Sequence, residues 1–138
     1  MGLYLCILNE GGEDRDGVDV GYYDDYGFFV DTVISALEGG RKGERFPTLT
    51  LHHDSDGVWT PEECRALEAE LETIKDEFQA MPPKELNSGW QREIAKLIGL
   101  TPKNLYECFI DVDGEPLLDR LIDLCKTAEK MGCSIVFQ

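Results

Sequence analysis

Residues 52–63 hold the most specific arrangement of chemistry-bearing side chains in the chain. A calcium loop of the EF-hand type places oxygen ligands at its first, third and fifth positions, glycine at the sixth and a bidentate glutamate at the twelfth. Counted from His52, Asp54 is third, Asp56 fifth, Gly57 sixth and Glu63 twelfth. The first position fails, because an imidazole nitrogen stands where a hard cation wants a carboxylate. The residues before it also read as a strand, where an EF-hand has a helix. Turn and capping chemistry explains the same residues: Asp56-Gly57 turns, Thr60 caps a helix, Pro61 opens it and Glu63 closes a capping box. Residues 111–114 repeat Asp-x-Asp-Gly, but there the twelfth position is Arg120, which leaves only turn chemistry. We assign no metal ligand. A calcium-binding module stays open as an alternative for the first copy.

Other catalytic constellations are absent from the sequence. His52 and His53 are the only histidines, and neighbours on a strand point to opposite faces, so the two do not converge on one metal. Zinc spacings, a nucleophile elbow, a Walker A loop and a dinucleotide glycine fingerprint are all missing. No cofactor and no catalytic residue are assigned, and the chain reads as a binding protein, not an enzyme. Its five cysteines, Cys6, Cys64, Cys108, Cys125 and Cys133, are odd in number and lack a CxxC. Free thiols in a reducing compartment are expected.

The best binding candidate is the acidic stretch between residues 10 and 26. It interleaves Asp14, Asp16, Asp24 and Asp25 with Tyr22, Tyr23 and Tyr26. Tyrosine gives rigid contact area with a polar tip, and carboxylates match arginine and lysine on a partner. The tyrosines could equally fold back onto the core. Trp59, beside Asp54 and Asp56, is a second possible anchor or else a plug at a helix entrance. The whole chain shares this acidity, with 28 acids against 13 bases and a formal net charge of −15. Such a surface repels nucleic acid and anionic membranes and steers basic partners inward. An acidic mimic of nucleic acid is a further alternative. No basic leader opens the chain, and no apolar run nears the roughly 20 residues that span a bilayer; a cytoplasmic location is expected.

These residues need a scaffold, and 138 residues suit one domain with its own core. Residues 3–8 read as a buried strand and residues 9–25 as a loop rich in Gly and Asp. A first helix starts near Asp24 or Asp25, with Phe29, Val30, Val33, Ile34 and Leu37 inward, and stops at Gly39-Gly40. Residues 46–53 read as a second strand, with Leu49 and Leu51 on one face. The helix capped by Thr60 carries Cys64, Leu67, Leu71, Ile74 and Phe78 in a narrow stripe. Residues 88–98 form a third helix with Trp90, Ile94, Leu97 and Ile98 inward. A strand at 105–110, a helix from about 115 to 131 and a strand at 134–138 complete the order. The expected class is α+β: one domain over 1–138, with about four strands packed against about four helices. The last strand–helix–strand unit could form a parallel crossover.

Several stretches resemble the immunity proteins of bacterial polymorphic toxin systems, most closely the immunity protein 70 family. They are MGLYLC at the start, RFPTL at 45–49, DGVWTPEEC at 56–64 and NLYECFIDVDGEPLL at 104–118. The similarity spans nearly the whole chain. It implies a cytoplasmic bacterial protein that binds and neutralises a cognate toxin domain, with no catalytic residues of its own. It supplies no contact residues.

Overall fold

The computed structural model describes residues 2–8, 14–52 and 57–138. Four strands form one antiparallel sheet in the order β2-β1-β4-β3. They are β1 (Gly2–Leu8), β2 (Asp14–Tyr22), β3 (Val58–Trp59) and β4 (Ile135–Phe137). Five helices accompany them among the described residues: α1 (Tyr23–Leu37), α2 (Pro47–Thr50), α3 (Pro61–Gln79), α4 (Gly89–Ile98) and α5 (Leu117–Met131). The α+β class therefore holds. The parallel crossover does not, since its first strand, expected at 105–110, does not form, and β4 pairs antiparallel with β1 and β3 instead.

In β1, Leu3, Leu5 and Ile7 alternate into the core and are almost fully buried. Its partner overturns the loop reading of residues 14–22, which form a strand despite their Asp and Gly content. Val18 and Val20 face inward beside the β1 leucines. Two residues apart, the valines share one face by strand alternation, and pairing Leu3 with Gly21 and Tyr4 with Asp19 leaves Val20 as the extra residue of a bulge. On the other face Gly17 leaves room for the Tyr4 ring, which a Cβ there would displace. Low strand propensity is outweighed by pairing and burial, as is common in sheets. The outer edge of β2 is partly closed: the Val112 N–H donates to the Asp19 carbonyl at 3.2 Å and Arg120 Nη2 to the Gly17 carbonyl at 3.0 Å. Capping an edge in this way discourages pairing with other chains.

The strand expected at 46–53 is instead the single-turn helix α2. Leu49 is buried, but Leu51 is half exposed. Two carboxylates from distant positions decide this. Glu70 of α3 accepts the N–H groups of Thr48 and Leu49 at 3.1 and 3.0 Å, an anion at a helix start. Glu38 accepts those of Arg45 and Phe46 at 3.0 and 2.9 Å. Burial alone would raise the Glu38 pKa, and these donors hold it below the usual carboxylate range. The strand expected at 105–110 is likewise replaced. A 3₁₀ turn occupies Tyr106–Cys108, and Ile110 makes a single bridge to Pro116.

The helices α3 and α5 follow the sequence closely. Thr60 caps α3, its hydroxyl accepting the Glu63 N–H at 3.2 Å while Glu63 accepts the Thr60 N–H at 3.0 Å. Cys64, Leu67, Leu71, Ile74 and Phe78 are all buried against the Leu118, Leu121 and Cys125 face of α5. All five cysteines are free thiols, and Cys133 alone is not buried. Across the outer side of this helix pair Glu68 faces Glu129. The hydrogen bond they share raises the Glu68 pKa to about 7 from an ordinary 4.5, with burial adding to the rise. The folded chain thus holds a proton that the unfolded chain releases. That stability is present below about pH 4.5 and is lost as pH rises toward 7. Glu68→Gln is expected to flatten this decline, which thermal melts across the interval would register as a midpoint less sensitive to pH.

Candidate functional site

The chain turns from β2 into α1 at Gly21, whose φ of +93° suits glycine. Two residues into α1, Asp25 folds inward and is only 4% exposed. Four donors converge on its carboxylate. The Tyr22 N–H reaches Oδ2 at 3.0 Å and caps α1. The Trp90 indole N–H reaches the same oxygen at 2.9 Å, while Asn87 Nδ2 at 2.7 Å and the Ser88 hydroxyl meet Oδ1. Burial by itself would raise the Asp25 pKa. The bonds from Ser88, Tyr22, Asn87 and Trp90 outweigh it and hold the carboxyl low. Ser88 is also the N-cap of α4, its N–H donating to Gln91 Oε1 at 3.0 Å. One carboxylate therefore fastens the start of α4 to the start of α1.

This attachment decides which way α4 faces. The stripe of Trp90, Ile94, Leu97 and Ile98 does not enter the main core as expected. Gln91 and Ala95 are buried instead, while Leu97 is 81% and Ile98 53% exposed. Trp90 lies on Gly21, and Ile94 and Ile98 lie on Gly114. Between α4 and the corner of β2 and α1 runs an open cleft of about 530 Å³, lined by Gly2, Asp19, Gly21, Tyr22, Trp90, Glu93, Ile94 and Val112. Its size falls within the range of roughly 300–1,000 Å³ typical of binding sites. Val112 is placed by the turn at 111–114. There the buried Asp111 accepts the N–H groups of Asp113 and Glu115 at 2.9 and 3.0 Å and pairs with Arg120 at 3.3 Å. The second Asp-x-Asp-Gly is thus architectural.

The residues singled out from sequence divide sharply. Asp16 and Asp24 are exposed, and Tyr22 is 53% exposed at the cleft. Tyr23 is half-buried against the core. Asp25 serves the fold as described. Tyr26 is 5% exposed and meets Phe137 edge-on at 6.1 Å. Trp59 is 1% exposed, donates to the Thr48 carbonyl at 3.2 Å and packs against His52 and Phe137. Tyr26 and Trp59 therefore take the inward alternative: each gains more from a buried ring contact than from an exposed one. The backbone of Asp14 pairs with Leu8, but its side chain lies outside the described residues, as do Asp54 and Asp56. His52 Nε2 is 2.8 Å from the Val58 carbonyl. Among the described residues, no group of three or more His, Cys, Asp or Glu is placed to hold a metal.

Sequence reasoning missed Glu93, Ile94 and Val112 as parts of a surface site, and read Trp90 as core. One clue existed: α4 carries an apolar stripe but is short, with glycine-bounded ends, so little anchors it over a sheet.

A family model described as Immunity protein 70 matches residues 3–137. The chain belongs to the immunity protein 70 family. Neither the curated proteins nor the solved structures include a significant match. Membership gives the fold of this immunity protein an immunity role. On the outer faces of α3 and α5 the ion pairs are Arg65–Glu129, Lys126–Glu72 and Lys75–Asp119, with Arg45–Glu77 at the far end of α3; Glu62, Glu68, Asp76 and Asp123 of the same helices take part in none among the described residues. Among the described residues, no ion pair engages Asp16, Asp19, Asp24 or Glu93. Arg120 reaches this corner, but it is occupied by Asp111 and the Gly17 carbonyl. No helix among the described residues is long and apolar enough to cross a membrane.

Proposed function

We propose that this immunity protein binds and neutralises a cognate bacterial toxin domain of a polymorphic toxin system, inside the cytoplasm, by covering a basic surface on it. The observation that carries this reading is the formal net charge of −15, with three exposed carboxylates, Asp16, Asp19 and Asp24, gathered at the β2–α1 corner and engaged by no ion pair among the described residues. Exposed carboxylates raise the local negative potential and speed encounter with a basic partner, whose counter-charges then offset the cost of desolvating them. Neutralisation by occlusion needs no chemistry from the immunity protein itself.

The test is kinetic. The triple variant Asp16→Asn, Asp19→Asn, Asp24→Asn keeps the side-chain oxygens that accept the Gly17 and Gly21 N–H groups at 2.9 and 3.0 Å, so the fold is retained. Association with the toxin domain encoded beside this gene is expected to slow by about tenfold at low salt. The dependence of the on-rate on ionic strength should become shallower. Unchanged rates and an unchanged salt slope would remove this corner from the interface.

A further inference from the structure

The cleft beside the acidic corner has a chemistry of its own. Its walls are the side chains of Tyr22, Trp90, Ile94 and Val112, and its two carboxylates are Asp19 and Glu93. Among the described residues, no lysine or arginine lines it. Asp19 accepts the Gly21 N–H through Oδ1 at 3.0 Å, and among the described residues no donor is bonded to its Oδ2. Large hydrophobic side chains that stay exposed gather here: Tyr22 at 53% borders the cleft, and Leu97 at 81% and Ile98 at 53% continue one turn along α4.

We infer that this cleft is the anchor point of the interface and receives an arginine side chain of the protein partner, with an apolar neighbour of that arginine lying on Leu97 and Ile98. The inference rests on the toxin-binding reading of the adjoining corner. An acidic ligand is repelled by Asp19 and Glu93. A purely apolar one would desolvate both carboxylates without replacing their hydrogen bonds. A lysine ammonium is a compact, strongly hydrated charge that gains little from aromatic and aliphatic walls. A guanidinium is weakly hydrated, packs against rings and donates in a fork to carboxylates on either side. Large aromatic residues with a central arginine are also the usual composition of interface hot spots. The Trp90 ring is already immobilised by its bond to Asp25, so little ordering is left to be done on binding.

The two indole N–H groups of Trp59 and Trp90 give separate probes by nuclear magnetic resonance, with Trp90→Phe identifying the second. Titrating the intact protein with Leu-Arg amide is expected to shift the Trp90 indole and the Gly21 and Val112 amides saturably. Leu-Lys amide, and Leu-Gln amide with its uncharged side chain, should bind at least about threefold more weakly. Glu93→Lys, a change at an exposed position, should abolish the response. Equal responses to the three dipeptides, or no saturable response, overturn the arginine assignment. With the neighbouring toxin domain, Glu93→Lys and Leu97→Glu are each expected to raise Kd by about tenfold or more, chiefly through dissociation. If these variants bind normally while the triple Asn variant associates slowly, the anchor is overturned and the toxin-binding reading stands. If the wild-type protein forms no complex, both fall.

Discussion

Asp25→Ala is expected to destabilise the protein by about 3–5 kcal/mol, because it leaves buried donors without an acceptor. The Tyr22 N–H and the Trp90 indole N–H both end on Oδ2, and Asn87 and Ser88 end on Oδ1. These groups come from the first turn of α1 and from the entry to α4, more than sixty residues downstream. Alanine therefore removes the α1 cap and frees α4 together, and chemical denaturation should show a lower midpoint. Hydrogen exchange should rise first in α4, which contributes little else to the core. Asp25→Asn should lose less, since one oxygen remains for two of the donors while the new amide opposes the other two. The pH dependence follows from the lowered carboxyl pKa. A carboxylate favoured in the folded state contributes stability above its ordinary pKa of 3.8. That contribution is lost as pH falls toward the lower folded value. The gap in stability between wild type and Asp25→Asn should accordingly be widest near neutral pH and close in acid. A gap independent of pH would show that the charge of Asp25 is immaterial and that only its shape matters.

Gly21→Ala is the second large effect. Its φ of +93° is strained for any residue with a side chain, at about 1–3 kcal/mol. The added Cβ would also fall 2.4 Å from Trp90 Cζ2 and 3.0 Å from Asp25 Oδ2. Relieving those contacts moves the indole away from its acceptor, at an overpacking cost of about 1–3 kcal/mol more. The expected total is about 2–6 kcal/mol, with Trp90 displaced into the cleft. Near-ultraviolet circular dichroism would detect the altered indole, and denaturant titration the lost stability. Gly27→Ala is the matched control. Gly27 lies inside α1, and a Cβ there meets nothing within 4 Å. Alanine in its place should stabilise the protein by about 0.5–1 kcal/mol. If both glycine variants behaved alike, the steric account of the corner would be wrong.

These two residues also mark where sequence reasoning stopped. Asp25 was legible as a helix-start residue, and that role is real: it accepts the Tyr22 N–H. Its other three donors lie 62 to 65 residues away, a separation that no local pattern encodes. Gly21 read as ordinary loop glycine because the strand around it was hidden. Residues 14–22 have the composition of a turn-rich loop, and only the unpaired edge of β1 makes them a strand. The same reason explains α2 and the 3₁₀ turn. Both occupy segments whose apolar spacing suits a short strand, and α2 is fixed by the carboxylates of Glu38 and Glu70, brought from other elements.

The sequence by itself determined the acidic character, the α+β class, the capped helix α3 with its stripe, the helix α5 and the family to which the chain belongs. The family rests on a match over nearly the whole chain; the others depend on composition, on periodicity within one element or on caps within four residues, and such terms are local. Tertiary structure alone decided which of the acids and aromatics face outward. Asp25, Tyr26 and Trp59 are drawn inward by partners distant in sequence, while Asp16, Asp19, Tyr22 and Asp24 stay at the surface. It also turned the apolar stripe of α4 toward a cleft instead of the core, because a single buried carboxylate holds the entry of that helix against α1. Orientation of this kind is a sum of long-range contacts. A side chain's type limits what it can bind, but its neighbours in space decide whether it is available to do so.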